Sequence, residues 1–230
     1  LDAFQQPLTV DGRAVPTSLS IGISVHQGGA VAGDELIREA GIALARAKAR
    51  GKRRFETFEP PMGVEAAARL KLEAELHQAV GRDEMKIHYQ PIVDVSTGRI
   101  VGAEALTRWV HPEHGLLHPI DFIGAAESSG AILQLGRYVL QEACRAAVVF
   151  GRLNGRDRDF GINVNVSSRQ FRDRERLLAD VADALSESRL RPEMLTLEIT
   201  ESCLLDDLDT AIDIVRELRT MRVHVALDDF

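Results

Sequence analysis

The sequence predicts an α/β fold, a mainly parallel sheet with helices outside, laid out on the repeat of a modified (β/α)8 barrel. Three observations carry that expectation. From residue 86 onward, short apolar runs of strand length alternate with longer stretches of helical period. Oxygen-bearing residues interrupt the apolar pattern at Glu104, Asn165, Glu198 and Asp228, at intervals of 61, 33 and 30 residues. An eight-unit barrel spends roughly 31 residues per unit, so the last three positions fall one strand apart each. Finally, Ser96-Thr97-Gly98 is a turn that makes the first two strands of this region a hairpin, so one barrel strand runs antiparallel.

The elements follow in order. Val10 leads into the turn pair Asp11-Gly12, and residues 18–25 alternate apolar Leu19, Ile21, Ile23 and Val25 with small polar residues, which reads as a hairpin. A helix is expected over 34–50. Asp34 and Glu35 open it, Leu36, Ile37, Ala40, Leu44 and Ala47 face inward, and Gly51 stops it. A short strand over 54–58 precedes Pro60-Pro61-Met62-Gly63, which reads as a linker over 59–64. A helix over 65–80 follows. Strands are then expected over 86–95, 99–109, 160–166, 194–200 and 223–230, with helices over 120–128, 132–152, 174–188 and 206–221.

Composition bounds the function. The 230 residues suit between one and two domains, and 45% apolar with 27% charged residues is globular composition. Aromatics are only 5%, so the core must be built from Leu, Ile, Val and Ala. Twenty-eight basic against 35 acidic residues leave a net charge of −7, which argues against DNA or RNA as a non-specific partner. A phosphate ester bound by so acidic a chain would need a metal cation between carboxylate and phosphate. Cys144 and Cys203 form no CxxC pair, which excludes a disulfide framework and suits a reducing compartment. No apolar run approaches the roughly 18 residues of a membrane span. Leu1-Asp2-Ala3-Phe4 has neither a signal region nor an initiator Met. The expectation is a cytoplasmic piece of a longer protein, with any membrane tether lying upstream.

In barrels of this class the reacting groups lie at the C-terminal ends of the strands. One face of the strand over 99–109 carries Gly102, Glu104, Leu106 and Arg108. Asn163 and Asn165 lie opposite Ile162, Val164 and Val166, and Thr196, Glu198 and Thr200 lie opposite Leu195, Leu197 and Ile199. A lone Glu or Asn at a strand end more often caps a helix or joins an ion pair. Four in series at unit spacing favour a site. Carboxylate and amide oxygens without His or Cys suit Mg²⁺ or Mn²⁺, and Asp228-Asp229 could feed two ions. The chemistry this suggests is two-metal hydrolysis of a phosphodiester, with Arg108 available to contact phosphate. His111, His114 and His118 have spacings a zinc site could use, but they fall in a Pro/Gly-rich segment with no fourth ligand and read as a solvated loop. Gly28-Gly29 with Gly33-Asp34-Glu35 also reads as a loop before a helix.

At these residues the sequence resembles the EAL family of bacterial cyclic-di-GMP phosphodiesterases. Tyr89-Gln90-Pro91-Ile92 is similar to the family's YQPI strand, Glu104-Ala105-Leu106-Thr107-Arg108 to EALxR, Asn165-Val166-Ser167 to NxS, Glu198-Ile199-Thr200-Glu201 to ExTE, and Asp228-Asp229-Phe230 to the start of DDFG. The resemblance runs from about Leu70 to Phe230. It implies a modified (β/α)8 barrel with an antiparallel first strand, and linear pGpG as product. Glu104, Asn165, Glu198, Asp228 and Asp229 would be metal ligands holding two Mg²⁺ or Mn²⁺ ions, with Glu104, Glu198, Asp228 and Asp229 catalytic. Gln90 and Arg108 would contact the dinucleotide, and Glu201 would brace the loop after the two aspartates. A homodimer through this domain is also implied.

Residues 1–58 resemble the C-terminal part of a GGDEF (diguanylate cyclase) domain. Ser20-Ile21-Gly22-Ile23 is similar to its SIGIA strand, and Ala47-Lys48 through Gly51 to its AKxxGRN helix end. Gly41 stands where that family has Asp, and Lys52-Arg53 replaces Arg-Asn, which points to a degenerate or regulatory domain. The expected organisation is therefore a GGDEF part over 1–58, a linker over 59–64 and an EAL part over 65–230. The EAL family's catalytic Lys and a further Glu ligand would follow Phe230, so residues 1–230 alone are expected to turn over poorly. The competing class is a non-catalytic cyclic-di-GMP receptor or protein scaffold. Degenerate EAL proteins lose ligands, and every ligand position within this sequence is kept.

Overall fold

The computed structural model describes residues 8–10, 13–15, 18–26, 28, 32–153, 155, 160–201, 203 and 208–228. The chain divides into two compact units, Leu1–Lys71 and Leu72–Phe230.

In the first unit, β1 (Leu8–Val10) pairs antiparallel with β2 (Arg13–Val15), and Val10 faces Arg13. The turn pair Asp11-Gly12 lies outside the described residues. The return strand is therefore β2, not residues 18–25. Those residues hold β3 (Ile21–Ile23), which pairs in parallel with β4 (Phe55–Thr57) across α1 (Gly33–Ala49). The apolar side of α1 needs a sheet to cover it, and Gly22 permits the contact. A Cβ there would collide with the Ala40 carbonyl and the Leu44 backbone. Ala43 and Ala47, on the inner side of this helix, are fully buried. Glu39 on α1 is also buried, and the Ser24 hydroxyl donates to its carboxylate at 2.6 Å.

Residues 59–64 do not form the expected linker. Pro60 starts α2 (Pro60–Ala79), with the Met62 N–H bonded to the Glu59 carbonyl at 2.8 Å. A proline in the first helical turn lacks only an N–H that would have no intrahelical partner, so Pro-Pro opens this helix instead of breaking it.

The second unit is built on a six-stranded sheet in the order β10-β9-β8-β6-β5, with β7 added on β6. β5 (Met85–Asp94) and β6 (Arg99–His111) form the expected hairpin. Asp94 sets its turn by accepting hydrogen bonds from the Ser96 hydroxyl and from the Thr97 N–H and hydroxyl, while Gly98 takes a positive φ of 67°. β8 (Gly161–Asn165) is parallel to β6, β9 (Leu195–Thr200) to β8, and β10 (His224–Asp228) to β9. Gly102 faces Gly161 in the β6–β8 pair, where a Cβ on Gly102 would lie 2.7 Å from the Gly161 carbonyl oxygen.

Helices α3 (Pro119–Ser129), α4 (Ala131–Leu153), α6 (Arg174–Ser188) and α7 (Leu208–Thr220) share one core with the sheet. Ala103, Ala105, Ile162, Val164, Leu197 and Ile199 project into it from the strands. Short β7 (Gly115–Leu117) and α5 (Ser168–Arg172) complete the order. Both cysteines are free and buried. Among the described residues no helix is long and apolar enough to cross a membrane.

The solvated-loop reading of the histidines fails at His111, which ends β6 and is buried. Its Nδ1 accepts the backbone N–H groups of Glu113 (3.0 Å) and His114 (3.2 Å), which leaves the ring proton on Nε2, donated to Glu75 at 2.9 Å. His118 instead precedes α3, where its N–H bonds the Asp121 carboxylate at 2.9 Å.

Candidate functional site

Successive strand residues point to opposite faces, so the residues buried against the helices define the other face by exclusion. Glu104 opposes Asn163, Asn165 opposes Glu198, and Thr200 opposes Asp228. All six of these polar side chains therefore lie on the face turned away from the helices. Asn165 and Asp228 are the last residues of β8 and β10, and Glu198 is two residues from the end of β9. Four strands thus bring four of the expected ligands to one rim. Asp229 lies outside the described residues.

The chain leaves this rim in a defined way. Ser167 caps α5: its hydroxyl accepts the Gln170 N–H at 3.3 Å, and the Gln170 side chain accepts the Ser167 N–H at 3.2 Å. Gln170 is itself buried, over Gly136 of α4, where any Cβ would strike its amide. This box fixes the backbone two residues beyond Asn165.

Two amide–carboxylate bonds organise the site. Asn165 Nδ2 donates to Glu104 Oε1 at 2.8 Å, and Asn163 Nδ2 donates to Glu198 Oε1 at 2.7 Å. Burial pushes the Glu198 carboxyl above its ordinary value. The Asn163 hydrogen bond opposes that shift, and the nearby charges of Glu104 and Asp228 add to it. Like charges converging in this way suit a cation.

Among the described residues no group of three or more His, Cys, Asp or Glu stands ready to hold a metal ion. The donor set still fits a hard one, because every member is an oxygen donor and Asn165 contributes an amide. With its Nδ2 donating to Glu104, the Asn165 amide has its carbonyl oxygen as the atom that could serve a cation.

The remaining expected residues lie nearby in register. Gln90 on β5 opposes Glu104 and is exposed. Arg108 is half-buried on the Glu104 face and donates to the Thr107 carbonyl at 2.8 Å. Glu201 is exposed just past β9. A cavity of about 580 Å³ opens at this end of the sheet, lined by Leu106, Ile123, Asn165, Ser167, Glu198 and Thr200 among others. A second cavity, about 300 Å³ and mostly apolar, lies around Tyr89, Phe150 and Phe160 and contains none of the site residues. Asn163 is the residue that sequence reasoning left without a role. Alternation places it on the site face, but only coordinates place it against Glu198.

A model of the EAL domain matches residues 73–230. MucR of Pseudomonas aeruginosa, a bifunctional diguanylate cyclase/cyclic di-GMP phosphodiesterase, is 39% identical over 227 residues, 99% of this chain and 33% of that protein. NbdA of the same organism, a cyclic di-GMP phosphodiesterase, is 36% identical over 230 residues, 100% of this chain and 29% of that protein. The chain thus spans about a third of the length of these curated relatives. Among solved structures, the PaMucR phosphodiesterase in complex with c-di-GMP has a TM-score of 0.64 at 41% identity, covering 70% of this chain and 64% of that one. The EAL enzyme Bd1971, in its cAMP- and cyclic-di-GMP-bound form, has a TM-score of 0.66 at 30% identity, covering 85% and 50%.

Proposed function

The chain belongs to the EAL domain family, and we propose that it carries the metal-binding half of a phosphodiesterase that hydrolyses cyclic-di-GMP to linear pGpG in bacterial second-messenger signalling. The observation that supports this most is the convergence of Glu104, Asn165, Glu198 and Asp228 on one rim, with the Asn165 amide nitrogen held by Glu104. These residues, with Asp229, would hold two Mg²⁺ or Mn²⁺ ions. Bound there, the ions would supply charge stabilisation at the phosphorus and a nucleophile at neutral pH. Gln90 and Arg108 would orient the dinucleotide from β5 and β6, and Glu201 would support the loop that follows Asp229. Water adds at one phosphorus, the P–O bond to a ribose 3′-oxygen breaks, that oxygen leaves as a hydroxyl with a proton from the water, and the ring opens to the linear product.

The reading extends to the rest of the chain. Residues 1–58 would be the C-terminal part of a degenerate GGDEF domain, supported by the parallel β3–α1–β4 unit. Residues 65–230 would be the EAL part, working in the cytoplasm as a homodimer. The test is pGpG release from cyclic-di-GMP by the intact protein that carries this chain and by its Glu104→Gln variant, in Mg²⁺ or Mn²⁺ and in a chelator. Metal-dependent release that Glu104→Gln abolishes supports the reading. Equal release by both proteins overturns it, and nucleotide binding without any release indicates a receptor.

A further inference from the structure

We infer that Asn163 is a positioning residue for the metal site, orienting Glu198 without itself being a ligand. The inference rests on the reading of Glu198 as a ligand given above.

Asn163 sits in the middle of β8, a place where asparagine is a poor strand former. Its Cα partners are Glu104 on β6 and Thr196 on β9, yet its amide reaches diagonally along β9 to Glu198 Oε1 at 2.7 Å. Asn165 does the converse. Its partner on β9 is Glu198, and its amide reaches diagonally to Glu104 on β6 at 2.8 Å. One strand thus holds the carboxylates of both neighbours with two crossed amide bonds.

The chemistry of the donor matters. An amide N–H is neutral, so it fixes a carboxylate's orientation without cancelling the charge a cation needs. A lysine or arginine in the same place would compete with the metal. With Oε1 tied to Asn163, Glu198 presents Oε2 in one orientation rather than swinging about its terminal torsion. Hydrogen-bond partners of metal ligands act in this way, and their loss typically costs about 10–100-fold in metal affinity.

The test uses Mn²⁺ itself as the probe, titrated calorimetrically into the metal-free full chain. Asn163→Ala and the nearly isosteric Asn163→Leu should each weaken Mn²⁺ binding about 10–100-fold, with metal-free melting close to wild type. Glu198→Gln, run alongside, should lose Mn²⁺ binding outright. If either folded Asn163 variant binds Mn²⁺ like wild type while Glu198→Gln does not, Asn163 serves only the fold and the inference is overturned. If Glu198→Gln binds like wild type, the ligand assignment itself fails and the inference with it. Using two variants guards against one that fails to fold.

Discussion

Asn165 and Glu198 are direct partners across β8 and β9, but the Asn165 amide turns away from that partner and donates to Glu104 on the opposite strand at 2.8 Å. The bond does two things at once. It restrains the Glu104 carboxylate, and it sets which end of the Asn165 amide faces the site.

Asn165→Leu should therefore remove a metal-facing oxygen and release Glu104 together. In the intact protein cyclic-di-GMP turnover is expected to fall about 100-fold, with Mn²⁺ affinity falling alongside it. Chromatographic measurement of pGpG and Mn²⁺ titration check this. A variant that keeps wild-type values for both would show that the amide only completes the sheet.

Arg108 lies four residues beyond Glu104 on the same strand face. Arg108→Ala should weaken cyclic-di-GMP binding about tenfold or more, because a charge-assisted hydrogen bond is worth about 1.5–3 kcal/mol. Mn²⁺ binding should hardly change. Calorimetry with each ligand separates the two effects, and unchanged nucleotide affinity would leave Arg108 its bond to the Thr107 carbonyl as its role.

Gly136→Ala should destabilise the protein although it touches no ligand. The added methyl strikes the Gln170 amide, which must leave its place over α4 and give up the Ser167 N–H. Overpacking of this kind costs about 1–3 kcal/mol. Thermal melting should record it, and Gly136→Ala combined with Gln170→Ala should recover part of the loss.

Asp180 gives a pH signature. It is buried on α6, and burial raises its pKa although Arg137 and Arg176 pull it down. A folded-state pKa above the unfolded one contributes stability below the ordinary aspartate value, and that contribution is lost as pH rises through the folded value. At neutral pH the buried charge is therefore a net cost despite two arginine contacts at 3.3 and 3.8 Å. Asp180→Asn should match or exceed the wild-type melting temperature at neutral pH and flatten its fall through that window. A marked loss of stability at neutral pH would contradict this.

Which features were readable follows from the range of the interactions behind them. The alternation in Ile162-Asn163-Val164-Asn165 and in Leu195 through Thr200 is local, so both the strands and the faces of their polar residues could be read directly. Unit spacing then linked Asn165, Glu198 and Asp228. Pro60-Pro61 misled because the same residues that interrupt a helix also suit its first turn. The hairpin partner of β1 is not legible in the sequence because a turn pair fixes where a strand reverses and not which later segment pairs in parallel elsewhere. His111 depends on Glu75, 36 residues earlier, and the role of Asn163 depends on Glu198, 35 residues later. No periodicity encodes such pairings.

The crossed amides also bear on how the sheet avoids assembling wrongly. Side-chain direction in a strand repeats every two residues, so slipping β8 by one residue against its neighbours would drive Asn163 and Asn165 into the helix layer and turn Ile162 and Val164 out of it. Each amide buried without a partner costs about 1–3 kcal/mol, and Glu198 would impose the same kind of penalty on a slipped β9. The same side chains thus act as register marks, raising the energy of mispaired sheets that a purely apolar strand would tolerate. A variant whose asparagines at these positions were replaced by valine could keep its fold and still become more prone to misassembly.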